Sequence, residues 1–337
     1  MSDRTDNNAR LGVLDGWRAI SILLVLAAHL FPLGPKAFRL NEAAGAMGMA
    51  LFFTLSGFLI TRLLLKDPRV GAFLIKRFFR IIPLAWLGMA AVLIGKDSSW
   101  SVYLPHLFFY ANLPPIALMP GTAHFWSLCV EMQFYVGIAI AISLLGKRAL
   151  FALPLCCLAI TLYRMYAGAY IDIVTIRRVD EILAGCVLAL IYEGKLGSRI
   201  QIWLEKIGVY VGLLFLAVAS HPDSGWMNYL RPYAAAMLVG TTLYGVNETV
   251  ARALQSRFMF YIATVSYAVY VIHGVLMDTW MGTGEKFEKY AKRPLLLATT
   301  FILAHLSTFH MESQFIALGK KLTTRPTPAP DELRSSQ

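Results

Sequence analysis

The chain has 337 residues, of which 57% are hydrophobic and 15% charged, with a mean hydropathy of +0.59. Soluble domains are about 25% charged, so this composition excludes an ordinary soluble enzyme and points to a polytopic, all-α membrane protein. The net charge of +11 does not indicate nucleic acid, because basic residues crowd the cytoplasmic ends of membrane helices and no basic face extends beyond the membrane edge.

The N-terminus, MSDRTDNNAR, is polar. The apolar run after it, residues 11–30, lacks a small-residue cleavage site and carries Arg18, so it reads as a retained span and not a signal peptide. Arg18 and His29 are eleven residues apart. At 3.6 residues per turn they leave the helix on nearly the same face, about 16 Å apart. Asp15, Arg18, Ile22, Val25 and His29 form one stripe. Ionisable groups in a membrane helix must face protein or a water-filled cavity, and mark a functional site by default.

Ten spans follow from the apolar runs: residues 12–31, 45–65, 73–94, 124–145, 149–166, 179–192, 202–219, 227–246, 259–280 and 294–316. Residues 100–121 are aromatic and broken by Pro105, Asn112, Pro114, Pro115 and Pro120. They read as re-entrant or interfacial, with a short eleventh crossing as the alternative. Ten spans with a cytoplasmic N-terminus place roughly twenty of the 31 Lys and Arg residues inside, so both termini are expected in the cytoplasm. Residues 1–320 form one membrane domain, and the Pro-rich stretch 321–337 a disordered tail.

Several spans carry polar residues. Ser56–Gly57 in the second is a small pair suited to close helix packing, or to passage of a thin ligand beside the helix. Arg77 and Arg80, in KRFFRIIP, share a face at the start of the third. They read as a head-group anchor or as a clamp whose guanidinium forks match phosphate oxygens. In HFWSLCVEMQFY, the residues His124, Ser127 or Leu128, Glu131 and Tyr135 line one face beside Trp126; Glu131 either holds the bundle to an arginine or serves the chemistry. Arg178, Asp180 and Glu181, in RRVDEILAG, read as interfacial salt bridges or as partners for sugar hydroxyls. Ser266, Tyr270 and His273 share a face of the ninth span; His305, His310 and Glu312 lie in the tenth. A lone intramembrane histidine is more often a helix-to-helix hydrogen-bonding residue than a catalyst. Cys129, Cys156, Cys157 and Cys186 lie in apolar runs without metal or disulfide spacing. No Walker A loop, GxSxG elbow, HExxH or CxxC occurs, and no metal site is expected.

In their order along the chain, LDGWRAISILLVLAAH (14–29), FFTLSGFLIT (52–61), KRFFRIIPL (76–84), FWSLCVEMQFY (125–135), RRVDEILAG (177–185), SYAVYVIH (266–273) and Glu312 together resemble the acyltransferase 3 family of bacterial integral-membrane acyltransferases. The resemblance implies transfer of an acyl group, usually acetyl, from cytoplasmic acyl-CoA to a hydroxyl of an extracytoplasmic or membrane-bound acceptor, commonly an O-antigen, exopolysaccharide, peptidoglycan or lipo-oligosaccharide sugar. It puts the family's essential histidine on His29, its partner arginine on Arg18, its RxxR on Arg77 and Arg80, and its acidic residue on Glu131. Two positions depart from the pattern: Met132 stands where a second acidic residue often follows, and Ser313 where proline often follows the last glutamate. The chain ends about twenty residues after its last expected span, so the SGNH esterase-like domain of some members is not expected.

These readings combine into one expectation for a bacterial inner-membrane enzyme. Acyl-CoA is a co-substrate, with no permanently bound cofactor. Its phosphates meet Arg77 and Arg80, and its pantetheine arm passes Ser56–Gly57. His29 acts as general base or as nucleophile, Glu131 orients or charge-balances it, and Arg18 sets the local potential. Asp15, His124, Trp126, Tyr135, Arg178, Asp180 and His273 are the expected contacts to a carbohydrate or lipid-linked glycan. Acceptor choice is assigned to the outer loops 32–44, 100–121, 167–178 and 282–293. A proton-coupled secondary transporter is the rival class, since buried Arg, His and Glu also form proton relays. An acyltransferase for a small molecule such as a macrolide is the nearer alternative.

Overall fold

The computed structural model describes the backbone of residues 2–245 and 247–324, and side chains from residue 12 onward. Among the described residues there is no β-strand. Fifteen α-helices are described: α1 (Ser2–Leu30), α2 (Leu40–Lys66), α3 (Val70–Gly95), α4 (Trp100–Leu107), α5 (Trp126–Leu145), α6 (Leu153–Tyr166), α7 (Asp180–Tyr192), α8 (Arg199–Lys206), α9 (Val209–Ser220), α10 (Arg231–Tyr244), α11 (Glu248–Leu254), α12 (Arg257–Met277), α13 (Lys286–Ala291), α14 (Arg293–Leu306) and α15 (Ser313–Thr323). A π-helical turn, Ser307–Glu312, joins the last two.

Local chemistry sets several boundaries. Proline starts α6, α10 and α14, where its missing N–H removes no helical bond. The Ser256 hydroxyl accepts from the Met259 N–H at 3.3 Å and opens α12. The Asn247 side chain does the same for α11 through the Thr249 N–H at 2.8 Å.

Six helical stretches are long and apolar enough to cross a bilayer, and a seventh is obtained if α8 and α9, bent by 91°, are one broken span. The ten crossings read from hydropathy exceed this number. Residues 124–145 and 149–166 belong to one helical stretch of 44 residues, Ala123–Tyr166. Helices α7 and α10, with 13 and 14 residues, rise only about 20 Å, against a hydrocarbon core of about 30 Å. Residues 100–121 hold only the eight-residue α4 and irregular chain, so they make no eleventh crossing. Helix α15 runs to Thr323, into the stretch expected to be a disordered tail. The rest of that tail, from residue 325, lies outside the described residues.

Helix α1 sits at the centre, packed along α2 and α12, with α10 and α11 beside it. The Trp17 indole N–H donates to Thr242 Oγ1 on α10 at 3.0 Å, and the Ser21 hydroxyl donates to the Gly48 carbonyl on α2 at 2.9 Å. Helices α2 and α7 meet backbone to backbone. A Cβ on Gly57 would lie 1.9 Å from the Ile182 carbonyl oxygen, and one on Gly185 would lie 2.0 Å from that of Thr54. Gly57 therefore serves helix packing and lines no ligand passage. A Gly57→Val variant is expected to lose about 1–3 kcal/mol from overpacking, read as a lower thermal midpoint in detergent; a Gly71→Ala control, with nothing within 4 Å of the new methyl, should not.

Candidate active site

The face of α1 that carries the ionisable stripe looks onto two cavities at opposite ends of the bundle. His29 and Val25 line the larger, of about 830 Å³; Asp15 and Arg18 line the smaller, of about 480 Å³.

At the larger cavity the His29 ring stands against His273 of α12, with ring centroids 5.3 Å apart and planes 14° from parallel. His29 Nδ1 lies 3.0 Å from His273 Nε2. The tautomers follow from the surrounding hydrogen bonds. His273 Nδ1 is 3.1 Å from the Val269 carbonyl, which can only accept, so Nδ1 carries the proton and Nε2 accepts. His29 must then donate through Nδ1. That leaves the lone pair on His29 Nε2, on a ring that is exposed to the cavity. The His273 contact thus orients the His29 ring without a carboxylate.

His124 completes the wall. Its Nε2 donates to the Val271 carbonyl at 3.1 Å, and its ring lies 5.4 Å from that of His273. Gly274 makes room for it, because a Cβ there would fall 2.2 Å from His124 Nδ1. The Tyr270 hydroxyl donates to the His124 carbonyl and lies 2.5 Å from Ser127 Oγ. Both backbone-facing nitrogens are thus committed, and among the described residues no group of three or more His, Cys, Asp or Glu side chains could hold a metal.

Three of the four outer loops expected to meet an acceptor do line this cavity: Asn41 and Glu42 from the first, Ile116, Leu118, Pro120 and Gly121 from the second, and Ile171 to Ile173 from the third. The loop at 282–293 does not, although Asp278 just before it does. The Asn112 amide donates to the Ile173 carbonyl at 2.8 Å and to Thr175 Oγ1 at 3.0 Å, tying the second loop to the third.

Glu131 lies deeper. Its Oε1 accepts from both the Ser56 hydroxyl and the Tyr135 hydroxyl. This corrects two expectations. Ser56 and Tyr135 hold Glu131 and line neither cavity, and Glu131 makes no hydrogen bond to His29, whose partner is His273. Glu131 instead lies within electrostatic reach of Arg18, as do Arg77, Arg80 and Asp15.

The smaller cavity gathers Asp15, Arg18, Arg80 and Lys320. Asp15 therefore sits with the arginines, away from His29 and the expected acceptor. Arg80 Nη1 is 3.8 Å from Glu312, which accepts from Ser307 and Thr308 of the π-helical turn. Arg77 lies over the rings of Phe73 and Tyr135. Arg18 and Arg77 make no ion pair among the described residues. Lys76, Arg69 and Lys320 line a further cleft beside this end. The bundle thus carries a cationic end, a buried carboxylate with two hydroxyl donors midway, and an imidazole pair at the far cavity.

Arg178 and Trp126 line the histidine cavity, the guanidinium lying 5.2 Å from the indole centroid. Asp180 does not reach it: its side chain is fully buried against Arg164 and accepts from Thr161 Oγ1 at 3.2 Å. Arg164 and Arg231, which complete this cluster, carry no local sequence signal; they reach Asp180 and Glu181 from 16 and 50 residues away. His305 packs on Tyr261 and Phe309, lining neither of the two cavities.

Residues 11–309 match the family model described as an acyltransferase domain. A Staphylococcus aureus protein provisionally named an O-acetyltransferase is 24% identical over 95% of this chain and 60% of its own length. The peptidoglycan O-acetyltransferase OatA of Listeria monocytogenes is 25% identical over 89% of this chain and 55% of its own. A Bacillus subtilis protein provisionally named a peptidoglycan O-acetyltransferase, YrhL, is 25% identical over 81% and 49%. The chain spans about half to three-fifths of the length of these relatives. No solved structure matches it. With the match covering all the helices that build the two cavities except the last, the chain belongs to the acyltransferase 3 family of membrane acyltransferases.

Proposed function

We propose that the protein is an O-acyltransferase that moves an acyl group, acetyl in the simplest case, from cytoplasmic acyl-CoA to a hydroxyl of a cell-envelope or exported carbohydrate. The observation that carries the reading is the lone pair of His29 Nε2, fixed by the His273 contact at 3.0 Å and open to a cavity large enough for a sugar. The similarity to OatA, named a peptidoglycan O-acetyltransferase, favours a glycan hydroxyl over a macrolide. In this reading the chain crosses the bacterial inner membrane several times. Both termini and the Arg18–Arg80 end face the cytoplasm, and the histidine cavity faces outward.

The coenzyme's phosphates meet Arg18, Arg77 and Arg80, of which only Arg80 has an ion-pair partner among the described residues, Glu312 at 3.8 Å. The pantetheine arm extends past Glu131 toward His29. His29 Nε2 takes the proton of the sugar hydroxyl, the oxygen attacks the thioester carbonyl, and the carbon–sulfur bond breaks. The imidazolium returns its proton to the departing thiolate, so ester and free thiol are the products. The same lone pair attacking the thioester first would give an acyl-histidine that the hydroxyl then opens.

Thiol release from acetyl-CoA by purified protein in lipid nanodiscs, with and without envelope glycan, tests the reading. Release that depends on glycan is expected. No release with any acyl-CoA from folded protein would return the transporter class. A His273→Ala variant, which frees the His29 tautomer, is expected to lose about 10–100-fold in rate, the range found when outer partners of metal-bound imidazoles are removed. Its pH–rate profile should also shift, and an unchanged profile would make His273 a packing residue only.

A further inference from the structure

One buried cluster in the wall of the histidine cavity holds more positive charge than its own carboxylates neutralise. Arg164, Asp180, Arg178, Glu181 and Arg231 form one cluster whose side chains are at most 2% exposed. Three guanidinium groups face two carboxylates there. Arg164 is matched by Asp180, and Arg231 Nε donates to Glu181 at 2.7 Å. Arg178 has only the far side of the same Glu181, at 3.3 Å from Nε, and its Nε and Nη1 have no hydrogen-bond acceptor. A buried cation without its own counter-charge is costly. The other charged residues lining the cavity are already paired at its rim: Glu42 with Arg39, Asp172 with Arg177 and Asp278 with Lys96. Arg39 is itself shared with Asp223. Arg178, which lines the cavity, is thus left without a carboxylate of its own.

We propose that Arg178 is the docking group for an anionic substituent, a carboxylate or a phosphate, on the sugar that enters the histidine cavity. This rests on the acyltransferase reading for its setting, but binding can be measured without any chemistry. A guanidinium fork matches either oxyanion with two parallel hydrogen bonds. The Trp126 ring beneath it offers an apolar face for the sugar. The donor's own phosphates belong to the arginine end, about 16 Å away along α1, so the acceptor has to bring the charge.

The test is equilibrium binding of glucose, glucuronate and glucose 6-phosphate to the protein in nanodiscs, for wild type, Arg178→Gln and Arg178→Lys. At least tenfold tighter binding of one or both anionic sugars than of glucose is expected, the better of the two identifying carboxylate or phosphate. Arg178→Gln should erase the preference, and Arg178→Lys should keep part of it. Because Arg178 is the surplus charge, Arg178→Gln should leave the thermal midpoint unchanged or raise it. Equal binding of all three sugars, a preference that survives Arg178→Gln, or a large fall in the midpoint of that variant would overturn the proposal and make Arg178 a structural partner of Glu181. Loss of thiol release with the binding preference intact would instead count against the acyltransferase reading alone.

Discussion

A His29→Ala variant is expected to fold normally and to lose acyl transfer by about 10²–10⁴-fold, the usual contribution of a positioned acid–base group. That corresponds to about 3–5 kcal/mol of transition-state stabilisation. The expectation of normal folding follows from where the ring sits. His29 is exposed to the cavity, so its removal leaves no void in the apolar core, and the freed His273 Nε2 can take a water from the same space. His29→Gln is the sharper comparison. Its amide N–H can still donate toward His273, but no basic lone pair remains, so its rate should fall nearly as far as that of the alanine variant. The measurement is thiol release with glycan present, beside a size-exclusion profile and thermal midpoint for each variant. Full activity in folded His29→Ala would remove the imidazole from the mechanism and leave the Glu131–Ser56–Tyr135 group as the place to look.

The second large effect is on stability. Arg164→Met is expected to cost about 3–5 kcal/mol, the range for breaking a buried ion pair from one side. Asp180 is fully buried and Arg164 is its ion-pair partner; only the Thr161 hydroxyl, at 3.2 Å, would remain. Arg164 Nη2 also donates to the Tyr170 carbonyl at 3.0 Å, and Arg231 Nη2 reaches the same oxygen at 3.3 Å. Arg164 therefore holds the loop that brings Ile171 and Asp172 to the cavity. The double variant Arg164→Met/Asp180→Leu should recover much of the loss, because replacing both charges by apolar groups removes the stranded carboxylate. Thermal unfolding in detergent, read by size exclusion, checks both. A midpoint for Arg164→Met equal to that of wild type would mean that Asp180 is neutral in the folded protein and that the pair adds nothing.

The periodicity of single helices was legible in the chain. The stripe Asp15–Arg18–His29 does face the bundle interior, and the spacing of Arg18 and His29 separates two cavities along one helix. The loops assigned to the acceptor largely surround the histidine cavity. The crossing count was less legible, since hydropathy marks apolar runs without regard to how far each rises. Helices α7 and α10 are apolar because they are wrapped by neighbours, with most of their residues buried, and they reach only about two-thirds of the way across a bilayer.

Composition, helix period and motif order by themselves determined that this is a helical membrane protein of the acyltransferase 3 family with ionisable groups inside, because those properties depend on neighbours within a few turns. The tertiary structure alone decided which group meets which. His273 stands against His29 across 244 residues, Ser56 holds Glu131 across 75, and Arg231 reaches Glu181 across 50. Gly57 and Asp180 each carried both a packing and a ligand-contact reading until Ile182 and Arg164 were beside them. In a bilayer such pairings are strongly enforced, since a polar group that misses its partner has no water to turn to. Nothing local in the chain encodes them, because each depends on how separate helices cross.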